Sequence, residues 1–363
     1  MISTAFSSKL ATSGAQFGIY CGAETPSAFA DPRAEFAALR TGCGILDLSW
    51  RAKLVVSGED RVRWLNGMVT NNTRDLPLNH GNYNFLLNAQ GRIQADLVAY
   101  NRGEYYLLAT DVSQSARIRE FFDRYIIMDD VEVTEITEKL ASLALVGPRS
   151  HEVLAKAGMA LPEMAPYEVQ DFVWNGVGLT AARTAPVSGF ELWMHSDNMA
   201  PVWEGLTEAG ATPAGTQAWE WLRISLGIPL YGADIGDREL PQEIGRQDAL
   251  HSDKGCYIGQ EIVERIRSRG SVHRVFAGFR VQGAPPVAGA KVRAGEKEAG
   301  EITSAASVPA GDSEVTLALG YIRREAAATG SEVRIGQAAS EPNSGAGAAQ
   351  ESLARVESLP FAI

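Results

Sequence analysis

The stretch Ala52–Val69, AKLVVSGEDRVRWLNGMV, sets the grammar of the chain. Ala52 to Ser57 suits a short strand. Ser57, followed three residues later by Asp60, resembles a capping box opening a helix whose apolar face is Val62, Leu65, Met68 and Val69. Strand then helix recurs at Tyr105–Ala109 and Ser113 to about Tyr125, with Ile118, Phe121 and Phe122 as the buried stripe, before an alternating strand from Val131 to Ile136. The turn Val146-Gly147-Pro148 leads to a helix around His151 to Lys156, and Phe172 to Met194 reads as strands around a glycine turn. No Gly-rich phosphate loop follows the first strand, so the pattern favours α+β sheets over a doubly wound nucleotide fold.

After Gly270 the texture changes to short strands separated by Gly, Pro and Ala turns: Phe276–Val281, Lys291–Ala294, Glu301–Ser304, Leu317–Ile322 and Glu332–Ile335. This predicts a small β-barrel or sandwich. The stretch 337–352 is poor in large apolar residues and is expected to be a mobile loop, with Leu353 to Phe361 returning as a closing strand. The expected organisation is a 1–270 region of two subdomains, with a boundary near 140, followed by a 271–363 barrel.

A length of 363 residues fits more than one core, and three cysteines at 21, 43 and 256, with no CxxC spacing, suit a reducing compartment. No apolar run approaches the roughly 20 residues of a membrane-spanning helix, and no signal-peptide core opens the chain, so a cytoplasmic protein with no membrane partner is expected. The formal net charge of −11 argues against direct nucleic-acid binding. Arg265, Arg267, Arg269, His273 and Arg274 are the local exception, readable as a solvated helix face or as a patch for carboxylates.

Lys254-Gly255-Cys256-Tyr257-Ile258-Gly259-Gln260-Glu261 sets a cysteine just after a lysine and before an expected helix, where an ammonium and free helix N–H groups stabilise a thiolate. This run resembles the signature of the YgfZ/Iba family, folate-binding relatives of the glycine-cleavage T-protein that support iron–sulfur enzymes. The similarity is distributed. It includes Gly44–Ser49, Met68–Asn71, Leu87–Leu97, Gly189–Leu192, Arg223–Ile235, Gly300–Ser304 and Ala318–Ile322.

The resemblance implies T-protein-like folate-binding domains, a C-terminal barrel, and tetrahydrofolate or a one-carbon derivative as cofactor. It implies that Glu191 accepts hydrogen bonds from the pterin, with Arg223 in the same site and Asp96 and Tyr83 beside the folate. Cys256 and Lys254 become the catalytic pair, and no metal site is expected. The implied function is assembly or repair of iron–sulfur clusters, with client or carrier proteins as partners. The alternatives are a tetrahydrofolate-dependent aminomethyl- or methyltransferase, and a folate-sensing scaffold for a tRNA-modifying enzyme. In the aminomethyl-transferring members, the position of Ala95 is usually an aspartate contacting the folate nitrogen. Its replacement speaks against transfer, since Asp96 should point to the opposite face of its strand unless the register shifts.

Overall fold

The computed structural model describes residues 5–336 and 351–363. The chain forms two compact units, each discontinuous in sequence: one of residues 1–87, 94–219 and 248–258, the other of residues 88–93, 220–247 and 259–363.

Among its described residues the first unit holds a two-stranded hairpin, Gln16–Tyr20 with Ala23–Ala28, and two larger sheets. In one, the strands lie in the order Gly81–Leu87, Ile93–Asn101, Tyr106–Asp111, Arg51–Ser57 and Glu132–Glu135. Leu54, Val56, Ala95, Leu97, Ala99 and Leu108 point to one face and pack under the helices Arg61–Met68 and Val112–Asp123, whose Trp64, Leu65, Ile118 and Phe122 complete that core. The other sheet has the order Val169–Trp174, Val177–Arg183, Gly189–Met194, Ala141–Val146, Gly44–Asp47 and Thr212–Pro213, the last pair parallel. Its first hairpin turns on Asn175 and Gly176, both at positive φ (50° and 81°), the geometry that a two-residue connection between twisted strands requires.

Phe190, Leu192, Leu143, Leu145 and Ile45 bury one face of this second sheet against the helix Met199–Glu208. The opposite faces of the two sheets meet, with Tyr100, Leu107 and Ala109 of one packed against Val169, Ala182 and Trp193 of the other. All strand residues from Gly189 to Met194 are therefore buried, whichever way they point.

The second unit is built on a closed six-stranded barrel in the order Arg274–Val281, Ser313–Arg323, Lys297–Ala310, Lys291–Ala294, Glu332–Gly336 and Glu351–Glu357. The last strand pairs back onto the first, from Gly278↔Glu357 to Val281↔Ala354. Phe279, Val292, Ile302, Ile322 and Ile335 fill the interior. The α+β reading and the C-terminal barrel thus hold, with the central hairpin longer at both ends than the strong apolar residues alone indicated.

Two local expectations are corrected. Ser57 stays in its strand, paired with Glu132, and forms no capping box; Asp60 is the N-cap residue and makes no side-chain cap bond. Its carboxylate accepts instead from the Asp130 N–H at 3.0 Å and from Arg63 at 3.1 Å. The mobile loop expected at 337–352 lies outside the described residues over 337–350, while Glu351 and Ser352 already belong to the closing strand.

Candidate functional site

Alternation along Arg51–Ser57 sends Arg51 and Lys53 to the face that meets the second sheet. There Lys53, fully buried, donates from Nζ to Glu191 Oε1 at 2.5 Å, and its ammonium lies 5.4 Å from the centroid of the Trp193 ring. Tyr100 stands edge-on to the same indole at 5.0 Å. Arg51 donates to Asp111 at 2.6 Å, from the neighbouring strand.

Asp96 faces this same side. Its carboxylate accepts from the Tyr83 hydroxyl at 2.6 Å and from Gln114 Nε2 at 2.7 Å, while its own N–H donates to Gln114 Oε1 at 2.9 Å. Gln114 is placed by the first turn of the helix Val112–Asp123.

Burial pushes Glu191 upward, but the charges of Lys53 and Arg51, with the hydrogen bond from Lys53, outweigh it and hold the carboxyl below the ordinary glutamate range. Burial, with Arg51 repelling, draws Lys53 below the ordinary lysine value even against Glu191. For Asp96, burial and the neighbouring Asp111 charge prevail over Tyr83, Gln114 and Arg51, so its pKa is raised. The site thus contains one carboxyl whose pKa is lowered and another whose pKa is raised.

Ala95, by contrast, is completely buried on the helix-covered face among Leu54, Leu97 and Phe122. The expectation that Asp96 needs a register shift is corrected: with the observed register, position 96 faces the charged side and position 95 the apolar core.

Arg223 is buried in the second unit. Within the second unit it donates to Glu220 at 2.5 Å, to Asp234 at 2.8 Å and to the Ser304 hydroxyl at 3.0 Å. Asp234 also accepts from Thr303 and Ser304, and its carbonyl from the Tyr321 hydroxyl, so this arginine fastens its helix and the following loop to barrel strands.

The segment from Asp248 to Ile258 is strapped to the end of the helix Arg61–Met68 and the residues after it. The Asp248 carbonyl accepts from Asn71, the Ala249 carbonyl from Thr70 and the Lys254 carbonyl from Asn66, and the Ile258 N–H donates to the Gly67 carbonyl. Lys254 is only 3 % exposed. It donates to the carbonyls of Asn66 at 2.5 Å and Val69 at 2.6 Å, over the Tyr257 ring at 4.9 Å. Burial, then the charge of Arg74, lowers its pKa to about 7.

The ammonium is therefore turned inward instead of toward the exposed Cys256, which precedes the helix Gln260–Arg269 by four residues and lies outside its first turn. Gly255 and Gly259 flank this thiol at φ 93° and 83°. None of the three cysteines is in a disulfide; burial pushes the Cys43 thiol up to about 12.

The arginine patch is largely matched by acids: Arg265 with Glu261, Arg267 with Glu264, and Arg274 with Glu239 and Glu243. Sequence reading missed Arg51, Lys53, Asp111, Gln114 and Trp193. A signal existed in RAKLVVS, where period two puts both cations on one face with Val55. Among the described residues no group of three or more His, Cys, Asp or Glu could hold a metal, and no helix is long and apolar enough to cross a membrane.

Residues 6–254 match the family model described as the GCVT N-terminal domain. An aminomethyltransferase of Rubrobacter xylanophilus is 31% identical over 302 residues, covering 82% of this chain and 81% of the relative. One of Geobacillus kaustophilus is 29% identical, covering 88% and 92%. The crystal structure of glycine cleavage system aminomethyltransferase T from Bartonella henselae shares the fold, with a TM-score of 0.86 at 22% identity over 98% of this chain and 97% of that one.

Proposed function

Because the chain belongs to the GCVT family, we propose that it is a tetrahydrofolate-dependent aminomethyltransferase of the T-protein type. The observation that carries this reading is Asp96, a carboxylate of raised pKa fixed by Tyr83 and Gln114 on the sheet face that meets the sheet bearing Glu191. Relatives called aminomethyltransferase, similar along most of both chains, support it. Tetrahydrofolate supplies the nitrogen that accepts a one-carbon unit.

The donor set fits such a ligand. Three carboxylates, Asp96, Asp111 and Glu191, face two cations, Arg51 and Lys53, leaving an excess of acceptors suited to an edge rich in N–H groups. Glu191 accepts from that edge. Asp96 holds or takes a proton beside the reacting amine, and Tyr83 and Gln114 keep its oxygens in place. The folate-binding region is residues 1–270, and the barrel 271–363.

The test is production of methylene-tetrahydrofolate from an aminomethyl donor by the purified protein. Asp96→Asn is expected to lower the rate by about 100- to 10,000-fold, the usual contribution of a positioned acid or base. A rate equal to that of the unaltered protein would overturn the reading.

A second reading, iron–sulfur cluster maintenance of the YgfZ/Iba kind, draws support from Cys256, an exposed thiol on a strapped segment between two glycines of positive φ. Here the thiol acts on an iron–sulfur client or carrier, and Lys254 positions it by anchoring the segment. Cells lacking the protein should regain a cluster-dependent activity with the native chain but not with Cys256→Ala. Equal rescue would instead favour a folate-sensing scaffold.

A further inference from the structure

We infer that Lys53 is a displaceable counter-ion of Glu191: a neutral ligand edge that donates N–H bonds to Glu191 takes its place, and Lys53 gives up one proton to solvent. The inference rests on the folate reading for the identity of that edge and on the geometry around Lys53 for the rest.

An ammonium has three N–H donors, and Lys53 uses one, toward Glu191. Its other neighbours offer no replacement. On its own strand Arg51 carries a like charge; on the next strand Asp111 is held by Arg51. Beyond that, Asp96 is held by Tyr83 and Gln114, and Tyr100 is a buried phenol. From the opposite sheet come only Glu191 and the face of Trp193. The Thr137 hydroxyl accepts from the Lys53 backbone N–H. Asp111 also attracts the Lys53 charge, but Glu191 is the one carboxylate that Lys53 hydrogen-bonds, and a buried ammonium deprived of that partner is costly and neutralises instead. The pKa of Lys53 already lies below the ordinary lysine value while Glu191 is in place.

The ligand therefore competes with Lys53, and the proton leaves as it binds: R–NH3⁺ becomes R–NH2, the N–H bonding pair remains on nitrogen, and buffer takes the proton. By linkage, affinity rises with pH, at most about tenfold per unit for one proton released.

Calorimetry of tetrahydrofolate binding to the full chain, at pH 8 in two buffers of different ionisation heat, counts these protons. The native protein should release close to one per site, and Lys53→Met, which keeps Arg51 beside Glu191, none. Between pH 7 and 8 the affinity of the native protein should rise severalfold or more, and that of Lys53→Met stay flat. Binding by the native protein without proton release would overturn the inference alone, whether or not the variant folds. No binding of tetrahydrofolate would overturn the folate reading as well.

Discussion

Asp96 and Ala95 are neighbours whose roles are opposite because a strand turns successive side chains to opposite faces. The sequence carried both residues, and the resemblance drew attention to the alanine. The face each one occupies was illegible until the sheet had a register. Ala95→Asp should therefore not improve transfer. It would place a carboxylate among Leu54, Leu97 and Phe122, and is expected to cost about 3–5 kcal/mol in urea unfolding, as an uncompensated buried charge does. A variant as stable as the native chain would contradict this placement.

Lys254 gives a second test at the same scale. Its pKa is about 7 folded and about 10.4 unfolded. Below pH 7 both states hold the proton and the desolvation cost is fully present. Between those values the unfolded chain binds more protons, so this residue's contribution to stability improves as pH rises. The stability of the native protein minus that of Lys254→Met should climb from pH 7 to 9 by about 1.4 kcal/mol per unit and stay level below pH 6. Parallel stability curves across pH 7–9 would remove the assignment.

Among elements, those with a strong period were legible. The helix Val112–Asp123 buries the predicted Ile118, Phe121 and Phe122, and Lys291–Ala294 has its predicted bounds. The helix Gln260–Arg269 was legible as a helix, but the function of its basic face was not, because the acids that pair with it sit three and four residues away on the same surface. Such exposed pairs contribute little. Replacing Arg265 and Arg267 together by alanine should leave stability within about 1 kcal/mol and tetrahydrofolate affinity within about twofold. A tenfold loss of affinity, measured by titration, would restore the carboxylate-binding patch.

Barrel strands make a sharper demand. A Cβ on Gly320 would stand 2.3 Å from the Glu301 carbonyl oxygen of the paired strand. Gly320→Ala is thus expected to destabilise the second unit by about 1–3 kcal/mol, read by denaturant titration with the first unit as internal comparison.

For the whole molecule, the distance in sequence between partners decided what could be read. Tyr83 and Asp96 are 13 residues apart and fall on adjacent strands, whereas Lys53 and Glu191 are 138 apart and meet only when two sheets pack face to face. The resemblance could point to Glu191; its lysine had no local pattern linking it to that position. The division into units gives a spectroscopic handle, since of the seven tryptophans only Trp221 lies in the second unit. Tetrahydrofolate at about 100 times its dissociation constant should stabilise the fluorescence-monitored transition by about 2.7 kcal/mol, through the first unit. An unchanged midpoint at saturating ligand would place binding elsewhere.

The closing strand Glu351–Glu357 imposes an order on synthesis. It is the last of the six to emerge, and at about 5–20 residues per second the stretch 337–357 takes roughly one to four seconds to make. Without that strand the edges of Arg274–Val281 and Glu332–Gly336 that it covers would stay unpaired. Arg280 and Glu332, later matched by Glu357 and Arg355, place isolated charges along those margins, which discourages a neighbouring nascent chain from zipping in first. In the closed ring the same charges become the ion pairs Arg280–Glu357 and Arg355–Glu332 across the closing strand.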